Sequence, residues 1–268
     1  MVPPPDTDGA AALARFYDLD LLDDPGDLDL YLALAERADG RVLELAAGSG
    51  RLAVPIAAAG HPVTAVDLDA AMLARAHARA AAAGLGSPGR GGTLELVEAD
   101  LVGLRLPDAG SYALGFIALN SIMLLGSRTA QRDAMDALAR HLAPGGLAVV
   151  DVWLPDAEDL ARYDGRVILE WPRVDPETGE TVTKVGSAVH DAATGTVRLT
   201  TIYEVGRQGE AARRWVRSDR LRLVGADELA SFAEDAGLEV EVIAGGYDLA
   251  PLGPGSDRAV LIAVRPGP

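Results

Sequence analysis

The stretch Val42–Gly60, VLELAAGSGRLAVPIAAAG, constrains the fold more than any other part of the chain. An apolar run (Val42, Leu43, Leu45) carries a single acid, Glu44. It then breaks into Ala46-Ala47-Gly48-Ser49-Gly50, and a helix-like apolar segment begins at Arg51. A buried strand that turns sharply into a helix through small residues brings bare backbone N–H groups close to a ligand. Such a junction is the entrance to a nucleotide-type cofactor site. Further on, Val63-Thr64-Ala65-Val66-Asp67 reads as a second, β-branched strand closed by an acid. An acid roughly twenty residues past a glycine loop suits a ribose diol.

Gly48-Ser49-Gly50-Arg51-Leu52-Ala53 also fits the G-x-G-x-x-G/A dinucleotide pattern, which is weak on its own. Three features argue against a nicotinamide cofactor. Glu44 sits inside the strand before the loop, where a dinucleotide enzyme is usually apolar. Asp100 follows a third strand (Val97-Glu98-Ala99-Asp100-Leu101), placed to accept from the exocyclic amine of adenine. Leu142-Ala143-Pro144-Gly145-Gly146-Leu147-Ala148-Val149-Val150 reads as a helix stop, a tight turn and a buried strand in succession. Together these resemble the class I S-adenosylmethionine-dependent methyltransferases: E-x-A-x-G-x-G, V-D-x-x-x-x-M-L, an A-D pair, and P-G-G before a strand. The resemblance runs from about Arg15 to Val152 and resumes from Ala226 to the end.

The resemblance implies S-adenosylmethionine as cofactor and assigns expected roles to individual positions. Glu44, Ala46, Gly48 and Gly50 form the loop that cradles it, with Arg51 reaching for the methionine carboxylate. Asp67, with Leu68 beside it, takes the ribose. Asp69 is expected instead to cap the following helix. Met72 and Leu73 form the apolar wall under adenine, and Asp100 and Leu101 its far side. After a fourth strand, Leu119, Asn120 and Ser121 face the reacting methyl or the amino acid part of the cofactor, because strand ends at the carboxyl edge point into the ligand crevice. Tyr17, in Arg15-Phe16-Tyr17-Asp18, matches an N-terminal tyrosine that folds over the cofactor, where its ring face can meet a sulfonium. Met123 and Trp153 are expected at the acceptor. The segment around Asn120 resembles small-molecule N-methyltransferases, including those acting on amino sugars. Many of those carry a histidine where this chain has Met123. No compelling general base emerges; Tyr17 and His190 are the only weak catalytic candidates. The other histidines, His61, His77 and His141, show no metal-ligand spacing, and His77 and His141 read as surface or capping residues.

Bulk properties narrow the partners. A net charge of −16 argues against a nucleic-acid substrate, because phosphate backbones demand a basic face. The chain has no cysteine, which rules out disulfides and thiolate chemistry and fits a reducing cytoplasm. The start, Met1-Val2-Pro3-Pro4-Pro5-Asp6, lacks the basic and apolar regions of a signal peptide, and no apolar run is long enough to span a membrane. A cytoplasmic protein with a small-molecule acceptor is the expectation.

From Arg41 to Val152, strands alternate with helices, which implies a mostly parallel sheet with helices on both faces. From Gly165 to Val224 helical periodicity disappears and β-rich runs separated by turn signals replace it, reading as an antiparallel meander. A helix at Ala226–Gly237 and two strands, Glu239–Ala244 and Ala259–Val264, close the chain. The expected fold is α/β, a Rossmann-like seven-stranded sheet whose last strand pairs antiparallel, with an inserted antiparallel β-sheet. The expected organisation is a helical cap over 1–40, a cofactor domain over 41–153 and 225–268, and an insertion over 154–224. The insertion would serve the acceptor pocket or a homodimer contact. The expected activity is methyl transfer to N or O of a small molecule. The alternative is a protein of the same fold that binds the cofactor but catalyses a non-methylating reaction such as cyclisation.

Overall fold

A computed structural model describes residues 7–86, 91–206 and 211–267. The loose start expected over Met1–Asp8 and the turn expected over Gly206–Gly209 fall largely outside these residues. In chain order the elements begin with helices α1 (Thr7–Asp20) and α2 (Leu28–Ala38), strand β1 (Val42–Leu45) and helix α3 (Ala53–Ala58). There follow β2 (Val63–Asp67), α4 (Ala70–Ala82), β3 (Leu94–Glu98), β4 (Tyr112–Ile117), α5 (Arg128–His141) and β5 (Leu142–Trp153). The remainder is α6 (Ala157–Arg162), β6 (Asp164–Val174), β7 (Thr181–Asp191), β8 (Thr196–Gly206), β9 (Arg213–Arg222), α7 (Ala226–Asp235), β10 (Glu239–Ala244) and β11 (Arg258–Val264). They form two units: residues 1–24 with 155–223, and residues 25–154 with 224–268. Helix α1 therefore groups with β6–β9, and α2 with the larger sheet.

The larger unit is built on a seven-stranded sheet in the order β10-β11-β5-β4-β1-β2-β3. Strands β1 to β5 run parallel, while β11 is antiparallel to β5 and β10 to β11. Strand β1 is buried at every position, as expected of a strand covered on both faces. Leu30, Tyr31 and Leu34 of α2 and Leu52 and Ile56 around α3 pack with Val42, Leu114, Phe116, Val149 and Ile262 of the sheet in one core cluster. Helix α5 approaches β4 so closely at Gly115 that a Cβ there would lie 2.7 Å from Leu138 Cδ1. This is the seven-stranded α/β architecture expected from the alternation.

In the smaller unit, β6–β9 form a four-stranded antiparallel meander in sequential order. Its hydrophobic cluster joins Ala12, Phe16 and Leu19 of α1 to Val182, Tyr203 and Val205 of the sheet. The Phe16 ring lies 4.9 Å from that of Tyr203 and 5.3 Å from that of Trp215. Asp20, at the end of α1, accepts from Trp171 Nε1, Lys184 Nζ and Tyr203 Oη, each within 2.8–3.0 Å.

Three local expectations need correction. Strand β5 begins at Leu142, directly after α5, and absorbs Pro144-Gly145-Gly146 through a register shift against β4, with Gly145 at φ +80°. Helix α6 was not expected; its signal was the capping box Asp156–Asp159, whose side chains and backbone N–H groups bond reciprocally. His141 is not a surface residue. It is fully buried, with Nδ1 2.6 Å from the Ala137 carbonyl and Nε2 accepting from Leu106 N–H at 3.0 Å. Burial and the Arg140 charge hold it below the usual imidazole range.

Candidate cofactor site at the carboxyl edge of the sheet

Strand order locates the site. From β1 the chain moves to β2 and β3 on one side, and from β4 to β5 on the other. The crevice between the carboxyl ends of β1 and β4 is thus the topological switch point, where ligands bind in open α/β sheets. Backbone strain gathers there. Ala46 (φ +59°), Gly48 (+55°) and Gly50 (+74°) are left-handed after β1, and Leu119 (+51°) and Asn120 (+64°) after β4. Left-handed non-glycine residues cost of order 1–3 kcal/mol each and persist only where their surroundings hold them.

On the β1 side, the loop is tied to the end of β2. Gly48 N–H donates to Asp67 Oδ2 at 2.7 Å, and Asp69 N–H donates to Asp67 Oδ1 at 2.9 Å. Each carboxylate oxygen of Asp67 therefore keeps acceptor capacity. Asp69 caps α4 by accepting from Ala71 N–H at 2.8 Å, as the sequence predicts. A Cβ at Gly50 would sit 3.0 Å from the Ala76 Cβ, so this position needs glycine for helix packing as well as for its φ. Glu44 is buried beneath the loop, and its Oε2 has no hydrogen-bond partner. Burial pushes its carboxyl up to about 8, against the opposing Arg51 charge and a hydrogen bond from the Ala53 backbone. Asp27 and Asp67 push in the same direction as burial.

Arg51, expected to reach a ligand carboxylate, makes a bidentate pair with Asp27 at 2.5 and 2.6 Å, and Asp27 is fully buried at the start of α2. Met72, Leu73 and Leu101, expected around adenine, are buried, whereas Leu68, expected beside Asp67, is 67% exposed. Asp100 is exposed and caps its own loop, accepting from Val102 N–H at 2.9 Å.

Across the crevice, Asn120 Oδ1 accepts from Trp153 N–H, and Asn120 N–H donates to the Asp151 carbonyl at 3.2 Å. Ser121 opens a 3₁₀ turn, Ser121–Leu125, in which Met123 is buried. The structure thus brings Glu44, Ala46, Gly48, Gly50, Arg51 and Asp67 together on one side, and Leu119, Asn120, Ser121 and Trp153 on the other. Tyr17, on α1, and His190, on β7 opposite Val197, belong to the smaller unit.

Sequence reasoning missed the network behind the β4 turn. Asp151 is fully buried and accepts four hydrogen bonds. Tyr31 Oη (2.7 Å) and Leu119 N–H (2.9 Å) donate to Oδ1, and Tyr247 Oη (2.9 Å) and an Arg258 guanidinium nitrogen (2.6 Å) to Oδ2. Burial and the neighbouring carboxylate raise both tyrosine hydroxyls well above their ordinary value. The signal was present: Asp151 is an acid inside the apolar run Leu147–Val152, just as Glu44 is inside β1.

Residues 42–146 match the family described as "Methyltransferase domain". That segment contains the glycine loop, Asp67, Asp100 and the β4 turn. Over this segment the chain is similar to the class I S-adenosylmethionine-dependent methyltransferases, and it shares their fold. Among solved structures, this chain is similar to an S-adenosylmethionine-dependent methyltransferase from Clostridium acetobutylicum (17% identity, 96% of this chain and 98% of that one, TM-score 0.75). It is also similar to the CcbJ methyltransferase from Streptomyces caelestis (26% identity, 92% and 96% covered, TM-score 0.72). A third is the sugar N-methyltransferase KedS8 from Streptoalloteichus sp. (21% identity, 94% and 92% covered, TM-score 0.71). A curated relative, the uncharacterized protein Rv1403c of Mycobacterium tuberculosis, is 40% identical over 126 residues, 45% of this chain. The chain spans only 39% of that relative's length.

Proposed function

We propose that this protein transfers the methyl group of S-adenosylmethionine to a nitrogen or oxygen atom of a small-molecule acceptor. The observation that carries the reading is the β1 side of the switch point: a left-handed glycine loop bonded to Asp67, above a buried Glu44 oxygen with no partner. These groups suit a ligand with vicinal hydroxyls and positive charge. Asp67 would accept from the ribose hydroxyls with its remaining lone pairs, and the loop N–H groups and the acidic surroundings of Glu44 would receive the polar methionine end.

When bound, S-adenosylmethionine supplies a methyl carbon already activated by its sulfonium. The acceptor atom bonds to that carbon as the carbon–sulfur bond breaks in line. The protein's part is then alignment and exclusion of water. A neutral amine needs no strong base to attack, whereas a hydroxyl does. With Tyr17 and His190 the only base candidates, an amine is the favoured acceptor. The resemblance to the sugar N-methyltransferase KedS8 supports that preference, although Met123 departs from the histidine frequent in amino-sugar enzymes. The net charge of −16 supports a partner other than nucleic acid. Among the described residues no helix is long and apolar enough to cross a membrane. We assign the 154–224 segment to the acceptor or to a homodimer contact, and the protein to the cytoplasm.

Incubation with S-adenosylmethionine and a panel of primary amines, amino sugars and phenols, followed by mass spectrometry, tests this reading. S-adenosylhomocysteine together with an acceptor heavier by one methylene is the expected result. Cofactor that binds yet is never demethylated, while an acceptor is cyclised, would favour the non-methylating alternative.

A further inference from the structure

The Asp151 carboxylate lies behind the β4 side of the crevice, and the secondary structure does not account for it. The β5 main chain already pairs with β4 on one side and with β11 on the other. An apolar side chain would fill such a site without removing a charge from water. Instead, this one residue fixes the backbone of both left-handed positions. Its side chain takes Leu119 N–H at 2.9 Å, and its carbonyl takes Asn120 N–H at 3.2 Å. The other donors reach it from three separate places: Tyr31 from α2, Tyr247 from the connection after β10, and Arg258 from the start of β11. Ring contacts stiffen all three, with the Tyr31 ring 4.5 Å from Phe116 and the Arg258 guanidinium 4.7 Å from the Tyr247 ring.

The geometry points to Asp151 as a positioning residue for methyl transfer, one that holds the strained Leu119–Asn120 turn where it meets the methionine end of the cofactor. This inference rests on the cofactor reading above. Asp151 is fully buried, so its action runs through the turn. Leu119 keeps its left-handed geometry because the Asp151 carboxylate, not a glycine, stabilises it, and Asn120 follows through the carbonyl of the same residue. The adenosine end is served by Asp67 and the β2–β3 side, which make none of these contacts.

That division supplies the test. Calorimetric titration of the unaltered protein and of Asp151→Asn with S-adenosylmethionine and, separately, with adenosine measures the two ends. The variant should bind S-adenosylmethionine at least tenfold more weakly while its affinity for adenosine changes by less than threefold. A merely structural role would weaken both ligands alike, and that result, or no change in either, would overturn the inference. If Asp151→Asn does not fold, the double variant Tyr31→Phe/Tyr247→Phe keeps the carboxylate and removes two of its donors. The same split between ligands, at least threefold, then supports the inference, and equal losses or none overturn it. Failure of the unaltered protein to bind either ligand would instead remove the cofactor reading, and this inference with it.

Discussion

Two acids interrupt apolar strands on opposite sides of the crevice, and their surroundings differ completely. Glu44, in β1, has an oxygen with no partner and a carboxyl raised to about 8. Asp151, in β5, is saturated by two tyrosine hydroxyls, a guanidinium and a backbone N–H. Both are buried, so burial alone does not separate them. The donors do. A buried acid left without a partner weakens the protein unless a ligand answers it, whereas one with four donors is part of the frame. One acid is left with an unanswered oxygen, and the other is fully answered by its own fold.

Removing either charge should change stability, and with opposite sign at the two positions. Asp151→Ala leaves Arg258 and two buried hydroxyls without their acceptor and should destabilise by about 3–5 kcal/mol, read from denaturant unfolding. Glu44→Gln should act in the opposite direction. With the folded carboxyl raised to about 8, the unfolded chain ionises first as pH rises from about 4.5, so this group's contribution to stability is intact below pH 4.5 and lost progressively up to pH 8. The variant lacks that slope. Free of cofactor, it should gain on the order of 3 kcal/mol relative to the unaltered protein between pH 5 and pH 8. Parallel pH profiles for the two proteins would show that Glu44 is answered within the fold.

On the ligand side, Asp67→Ala removes a charge-assisted acceptor and should weaken S-adenosylmethionine binding by about 1.5–3 kcal/mol. Unchanged calorimetric affinity would reduce Asp67 to a tether for the Gly48 loop. The smallest effect is expected from Tyr31→Phe. It removes one of four donors to Asp151 while keeping the ring against Phe116, and should cost about 1 kcal/mol of stability. A loss as large as that of Asp151→Ala would mean that the network stands on this single hydroxyl.

The sequence revealed most of the β1 side, because its chemistry is local. The Gly48–Gly50 loop, the acid closing β2 and the Asp69 cap all act within a few residues of one strand–helix junction, and apolar alternation then orders the parallel strands. The β4 side was hidden because its partners come together only in the fold. Tyr31 and Asp151 are 120 residues apart, and Asp151 and Arg258 107. Arg51 was legible as a cation at the loop, but its pairing with Asp27 depended on where α2 begins. His141 misled because a histidine in the last turn of a helix usually faces solvent, whereas α5 buries its end against the Leu106 backbone.

The proposed role of the β1 side is to take S-adenosylmethionine. Titration calorimetry of the unaltered protein at pH 7 with S-adenosylmethionine, and in parallel with a nicotinamide dinucleotide, measures this without knowledge of the acceptor. Saturable one-site binding of S-adenosylmethionine is expected, with no heat of binding for the dinucleotide. Binding of the dinucleotide alone, or of neither compound, would contradict that role.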